Sequence, residues 1–202
     1  CPSRLVARSF EAKGFSPSKL LVNNFGLSAP LAAPEKGASD GTFRLLYVGQ
    51  MHFRKGLRYA LEAFERLRHP HKELILVGPI TGPTGFEFRQ LPANVRYRGV
   101  SRGEDLQAAY ENADAFVLPT LEEGLALVQG EALGFGLPLI TTTTSGGEDL
   151  ITHGVEGFIV PAADAEALHD AFQRIAGDRG LRSAMSEAAL KRAREFGGWN
   201  ES

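Results

Sequence analysis

Cysteine, tryptophan and methionine are almost missing from this sequence of 202 residues, which contains one, one and two of them. A single cysteine, Cys1, excludes a disulfide framework within the chain and a metal site built from several cysteines. A large excess of charge is missing too, because 22 lysines and arginines stand against 24 aspartates and glutamates. The resulting net charge of −2 gives no electrostatic reason to bind nucleic acid or an anionic membrane surface.

Long apolar runs are also missing. No run of apolar residues approaches the roughly 20 residues that a membrane-spanning helix needs, so we expect no membrane span. The 43% of hydrophobic residues are enough for one sizeable core with flanking pieces. We expect a cytoplasmic location. Because the sequence begins with Cys1 rather than methionine, we also expect a processed chain or a piece of a longer one.

Apolar strand patterns and amphipathic helix patterns alternate from residue 42 onward. Strands are predicted over residues 44–49, 74–77, 95–100, 115–118, 137–141 and 157–160. Helices are predicted over 57–68, from a capping box at Ser101 and Glu104, from a cap at Asp164, and over 179–195. This alternation predicts an α/β domain over residues 42–202, a Rossmann-like doubly wound parallel sheet with helices on both faces. Residues 1–41 are interpreted as a lead-in and an interdomain linker.

Two carboxylates follow the strand predicted at 115–118. Glu123 falls in the turn after the strand and Glu131 lies eight residues later, in the next helix. Open α/β sheets bind ligands at this place, outside the carboxyl ends of the strands. Carboxylates accept hydrogen bonds from sugar hydroxyls, and a helix start offers N–H groups and a positive dipole end to phosphates. The residues that supply this helix start are Gly124, Leu125, Ala126, Leu127 and Val128.

The pattern therefore predicts a site for a nucleotide sugar. A second interpretation stays open, in which Glu123 caps the turn and Glu131 is a solvated helix residue.

Two adjacent cations, Arg54 and Lys55, lie in the loop that begins with Gln50, after the strand that ends at Gly49. Arginine offers a planar fork of donors and lysine a point charge, and both suit a diphosphate. An ordinary solvated basic pair is the alternative.

The run from Glu123 to Pro138 resembles the Glu-x7-Glu signature of the retaining glycosyltransferases of family 4, whose GT-B architecture consists of two facing Rossmann-like domains. The resemblance implies that Glu131 binds the ribose diol and that Glu123 binds the hexose hydroxyls. It also implies that Arg54 and Lys55 hold the diphosphate while charge develops on the leaving group. Glu123, Arg54 and Lys55 are thus the expected catalytic residues.

Other positions match the family less closely. Gly99 and Val100 fall where the family seats the nucleobase through main-chain groups, although a plain strand-to-helix turn explains them equally well. Gln50 stands where many members have arginine, so one phosphate contact is missing or is supplied by Arg54. Ala126 stands where glycine is usual, which narrows the approach of the phosphates to the backbone. Asp149 replaces the glutamate of a Gly-x-x-Glu element and is interpreted as structural.

The resemblance covers roughly residues 10 to 200 and implies the donor-binding half of the enzyme. The implied donor is a UDP-, GDP- or ADP-hexose, used without a metal ion or other cofactor, and the acceptor is unknown. The partner is the N-terminal GT-B domain of the same parent chain, which the sequence does not contain. We therefore expect the chain alone to bind a donor but to transfer no sugar.

Two other functions remain possible on the sequence alone. A GT-B-type epimerase or half of a phosphorylase shares the sheet, but neither is expected to carry the Glu-x7-Glu arrangement. A non-catalytic nucleotide-binding module of the receiver type is doubly wound too. It needs an acidic cluster where this sequence has Gly49 and Gln50.

Overall fold

A six-stranded parallel sheet forms the centre of the computed structural model, which describes residues 1–23, 40–84 and 91–196. The strands are β1 (Phe43–Val48), β2 (Lys72–Val77), β3 (Val95–Tyr97), β4 (Ala115–Leu118), β5 (Leu139–Thr142) and β6 (Gly157–Val160). The helices are α1 (Arg4–Glu11), α2 (Leu57–Arg66), α3 (Gly103–Glu111), α4 (Leu127–Gly134), α5 (Ala165–Gly177) and α6 (Arg179–Glu195). This arrangement confirms the predicted Rossmann-like α/β class.

The strands are apolar on both faces because helices cover both faces of the sheet. Every residue of β4 and β5 is buried. On the helical layers, α2 packs against α5, and α4 packs against α6. The core therefore runs continuously through the sheet rather than lying on one side of it.

The strand order is β3-β2-β1-β4-β5-β6, so the chain changes direction at β1. From β1 it moves outward to β2 and β3, and it then returns to place β4 on the other side of β1. Leu45 and Leu46 of β1 pair in parallel with Ala115 and Phe116 of β4. Because the connections after β1 and β4 leave in opposite directions, their loops diverge and leave a crevice at the carboxyl ends of these two strands.

Most predicted elements lie within a few residues of the observed ones. The capping box is wrong, because α3 has Arg102 at its N-cap with no capping hydrogen bond from the side chain. The helix begins at Gly103, which leaves Ser101 one position too early to cap it. The cap at Asp164 is confirmed, since its side chain accepts a hydrogen bond of 2.9 Å from the Ala167 N–H.

The segment interpreted as a lead-in contains the helix α1. Its N-cap is Ser3, whose side chain accepts a hydrogen bond from the Val6 N–H. Residues 24–39 of the segment interpreted as lead-in and linker lie outside the described residues. Among the described residues, no helix combines the length and the apolar character that crossing a membrane requires.

Replacing Ala163 by glycine is expected to stabilise the fold. Ala163 has a φ of 60° in the loop before α5, a conformation that places its Cβ too close to the following carbonyl. Relief of that strain exceeds the entropy that glycine adds to the unfolded chain, which leaves a gain of about 0.5–1 kcal/mol. Urea unfolding measures the difference.

Ala162→Gly is the matched control. Ala162 is not among the described residues with positive φ, so glycine relieves no strain there and stability should fall by about 0.5–1 kcal/mol. The same sign for both variants would contradict the prediction.

Candidate functional site

The loops after β1 and β4 touch each other at the crevice. Gly56, which has a φ of 66°, ends the loop after β1, and a Cβ atom there would overlap the carbonyl oxygen of Pro119. The two loops are also joined by a hydrogen bond of 2.7 Å from the Leu121 N–H to the Arg54 carbonyl. A glycine at position 56 is therefore what allows the two loops to approach this closely.

Lys55 and Glu123 meet across the crevice. The Lys55 Nζ donates to Oε2 of Glu123, and the two side chains are 14% and 25% exposed. The main chain holds Glu123 in place, because its N–H donates to the Thr144 carbonyl at 2.9 Å. An ammonium group has three donors, so one bond to Glu123 leaves two for a ligand. The cation of one loop and the carboxylate of the other thus form one partly buried polar centre.

Tyr47 is a buried residue of β1 that lies close to Glu123. Its hydroxyl donates to the Gln50 carbonyl at 2.8 Å. Burial, and secondarily the negative charge of Glu123, raise the pKa of Tyr47 well above its ordinary value, so the phenol stays protonated. Gly49 leaves room for this hydroxyl, since a Cβ atom there would lie 2.9 Å from it. The side chain of Gln50 is exposed, and the main chain of this residue is what the structure fixes.

Arg54 lies apart from the pair formed by Lys55 and Glu123. Its side chain is 49% exposed, and its Nη1 is 3.7 Å from Oε2 of the exposed Glu122. Such an exposed pair stabilises a protein little and holds its side chains loosely. The guanidinium group is therefore available to turn toward a ligand in the crevice.

Glu131 is held by Tyr110, a residue that the sequence did not reveal as part of the site. The Tyr110 hydroxyl donates to Oε2 of Glu131 at 2.8 Å. The Tyr110 ring stacks on Phe135, with ring centres 4.9 Å apart and an interplanar angle of 2°. Burial, followed by the charge and the hydrogen bond of Glu131, raises the pKa of Tyr110 far above its usual value. The phenol is thus a permanent donor that fixes one oxygen of the carboxylate.

The start of α4 presents main-chain donors between the two glutamates. Its N-cap, Ala126, makes no capping hydrogen bond with its side chain, and Leu127 is exposed. Within residues 1–23, 40–84 and 91–196, no acceptor is found for the N–H groups of Leu125, Ala126, Leu127 and Val128. These groups and the aligned helix dipole make the start of α4 suited to an anion.

Three glycines, Gly49, Gly78 and Gly99, lie close together at the ends of β1, β2 and β3. The Gly78 N–H donates to the Gly99 carbonyl at 2.7 Å, and a Cβ atom on Gly78 would overlap the Gly49 carbonyl oxygen. Gly99 has a φ of 68° with open space beside it, and Val100 is exposed. Gly99 and Val100 therefore form an accessible main-chain ledge next to Gly78.

The geometry brings some of the predicted residues into direct contact and leaves others apart. Lys55 meets Glu123, while Glu131 bonds to Tyr110 and Arg54 faces Glu122. In the part of the chain that the structure describes, no group of three or more histidine, cysteine, aspartate or glutamate side chains is placed to hold a metal ion.

The family model described as glycosyl transferases group 1 matches residues 42–178. A D-inositol 3-phosphate glycosyltransferase of Corynebacterium jeikeium is 31% identical over 209 residues, which cover 97% of this chain and 48% of the relative. The chain thus spans about half the length of the curated relatives it matches.

Solved structures share the fold at lower identity. Anabaena HepE, solved with UDP-glucose, has a TM-score of 0.84 and 18% identity. The match covers 100% of this chain and 60% of the HepE chain. The C-terminal domain of a group 1 glycosyl transferase from Francisella tularensis has a TM-score of 0.67 and 17% identity. This match covers 76% of this chain and 85% of the Francisella domain. The shared fold is the Rossmann-like domain of GT-B glycosyltransferases.

Gly56→Ala is expected to destabilise the chain by about 2–5 kcal/mol, because it combines a left-handed backbone with a collision against Pro119. Chemical denaturation measures the loss of stability. Gly154 separates the two causes, since it also has a positive φ, of 86°, but has open space where a Cβ would lie.

Gly154→Ala should therefore cost about 1–2 kcal/mol. Equal losses for the two variants would show that the contact between the loops is loose.

Proposed function

This chain belongs to the glycosyl transferases group 1, and on that basis we propose that it is the donor-binding half of an enzyme that transfers a hexose from a nucleotide diphosphate sugar. The observation that carries the proposal is the meeting of Lys55 and Glu123 beside the open start of α4. A donor of this class has a diphosphate next to a ring of hydroxyls, and the centre offers a cation next to a carboxylate.

Lys55 and Glu123 bind different parts of the nucleotide sugar. The two remaining donors of the Lys55 ammonium group bind phosphate oxygens, while the second oxygen of Glu123 accepts from hexose hydroxyls. As the bond between sugar and phosphate breaks, negative charge grows on the diphosphate. Fixed donors placed at developing charge are commonly worth on the order of 10²–10³ in rate for each one removed. Arg54 adds a second cation once its exposed side chain turns toward the crevice.

Glu131 binds the ribose of the donor. Tyr110 keeps one carboxylate oxygen fixed, which leaves the other oxygen for the ribose diol. The main-chain ledge at Gly99 and Val100 seats the base, and the N–H groups at the start of α4 face the phosphates. A ligand placed in this way lies across the carboxyl ends of β1 and β4, where doubly wound sheets bind nucleotides.

The complete reaction needs a second domain. The chain matches about half the length of its relatives, and the GT-B architecture that its sequence resembles consists of two facing domains. We assign acceptor binding to the N-terminal domain of the parent chain. Retention of the anomeric configuration and independence from metal ions belong to the same proposal. The resemblance to the Glu-x7-Glu pattern supports the first, and the adjacent cations Arg54 and Lys55 support the second.

The first test removes the cation. Lys55→Ala should weaken binding of a nucleoside diphosphate by roughly ten- to hundredfold, because a charge-assisted hydrogen bond contributes about 1.5–3 kcal/mol. The matching nucleoside should bind as before. Calorimetry with UDP, GDP and ADP, and with their nucleosides, measures both effects and identifies the base.

Arg58→Ala removes an equal charge from an exposed position of α2 and should change neither affinity. If Lys55→Ala weakens nucleoside and nucleoside diphosphate equally, the assignment of Lys55 to the phosphates is wrong.

A second test concerns the ribose. Glu131→Gln should weaken a ribonucleoside diphosphate about tenfold and leave its 2′-deoxy analogue nearly unchanged, since the lost acceptor matters only where a hydroxyl faces it. Tyr110→Phe keeps the stacking on Phe135 and should reduce the same preference by a smaller factor.

The double variant shows whether Tyr110 acts through Glu131. In that case Tyr110→Phe adds no further loss to Glu131→Gln, as expected for two residues in one network. Additive losses, or equal losses for the ribose and deoxyribose ligands, would exclude the proposed role of Glu131.

A further inference from the structure

We propose that the N-terminal helix α1 is part of the donor site and that Ser3 is a positioning residue for the peptide group between Gly124 and Leu125. This inference rests on the proposed function, because it identifies what orients one of the N–H groups that face the phosphates. The family model begins at residue 42, so its match assigns no role to α1.

Ion pairs attach α1 to the loop after β5. The main-chain N–H of Arg4 donates to Oδ2 of Asp149 at 2.5 Å, and the Arg4 Nε contacts Oδ1 of the same carboxylate. The Asp149 side chain is only 1% exposed, so burying its charge carries a desolvation cost, and the bonds from Arg4 offset that cost. One turn later, Arg8 pairs with Glu148. The bonds from Arg4 to the buried Asp149 therefore hold α1 against this loop, while the exposed pair of Arg8 and Glu148 adds little.

Ser3 connects α1 to the turn that carries Glu123. Ser3 is fully buried, and its hydroxyl donates to the Gly124 carbonyl at 2.6 Å. The same oxygen accepts from the Val6 N–H at 3.2 Å, which caps α1. A hydroxyl has one donor and two acceptor positions, so it does both at once. The Gly124 carbonyl also lies close to Gly146, where a Cβ atom would overlap its oxygen.

This hydrogen bond orients the next N–H group. The peptide between Gly124 and Leu125 is planar and trans, so its carbonyl and its N–H point in opposite directions. Because Ser3 draws the carbonyl toward α1, the Leu125 N–H points away from α1. Among the described residues, this N–H has no acceptor. Leu125 therefore donates to a phosphate oxygen of the bound nucleoside diphosphate, and Ser3 sets the direction of that donor.

The test compares Ser3→Ala with Ser9→Ala in the 202-residue chain. Ser9 is an exposed serine of the same helix, and its hydroxyl bonds locally to the Val6 carbonyl. Ser3→Ala should weaken the best-binding nucleoside diphosphate by about three- to tenfold and leave the matching nucleoside unchanged. Ser9→Ala should change neither. Ser3→Ala also removes a helix cap and lowers Tm, but a purely structural role does not alter the ratio of the two affinities.

A second measurement needs no variant. In ¹H–¹⁵N spectra of the wild-type chain, the Leu125 amide should shift on addition of the nucleoside diphosphate and should not respond to the nucleoside. If Ser3→Ala does not fold, this shift decides whether the Leu125 N–H is the phosphate donor that the proposal requires. The role of α1 is wrong if the Leu125 amide does not shift, or if Ser3→Ala leaves the ratio of nucleoside diphosphate to nucleoside affinity unchanged. The proposed function still stands in that case, provided that the wild type binds the diphosphate through Lys55. If the wild type binds no nucleoside diphosphate at all, both are wrong.

Discussion

The parallel pairing of β1 with β4 is the constraint on which the candidate site depends. It places the end of a strand from each half of the sheet at one edge, with connections that leave in opposite directions. Lys55 and Glu123 are 68 residues apart in sequence and reach each other because their loops follow these two strands. The close approach at Gly56 then removes the space that would otherwise separate the loops.

The pair also explains how a partly buried cation is tolerated before a ligand arrives. Removing Lys55 or Glu123 from water without a partner carries a desolvation penalty, and each group offsets that penalty for the other. In the proposed donor complex, a phosphate group meets a donor that is already partly desolvated and already in position. Binding then requires little rearrangement of Lys55, because two of its three donors point elsewhere than at Glu123.

Much of this fold follows from the sequence, since buried parallel strands and amphipathic helices leave strong periodic patterns. The sequence also places Lys55 and Glu123 at one edge of the sheet, because both follow the carboxyl ends of predicted parallel strands. Their direct contact is seen only in the structure. The partner of Glu131 was not, although a tyrosine on a buried helix face signals that its hydroxyl needs an acceptor. Which acceptor Tyr110 finds depends on the packing of α3 against α4, and no local pattern encodes it.

Loop conformation at the site is set by contacts between residues that are distant in sequence. Ser3 bonds to Gly124, and Arg4 bonds to Asp149, so α1 reaches the loops that follow both β4 and β5. A turn rich in glycine adopts many conformations when isolated, because glycine restricts the backbone least. Fixing one carbonyl from outside the turn selects one peptide orientation, and this direction passes to the next N–H through the planarity of the peptide bond. The sheet brings the site residues together, while the helix at the start of the chain determines how the main chain between them is presented to a ligand.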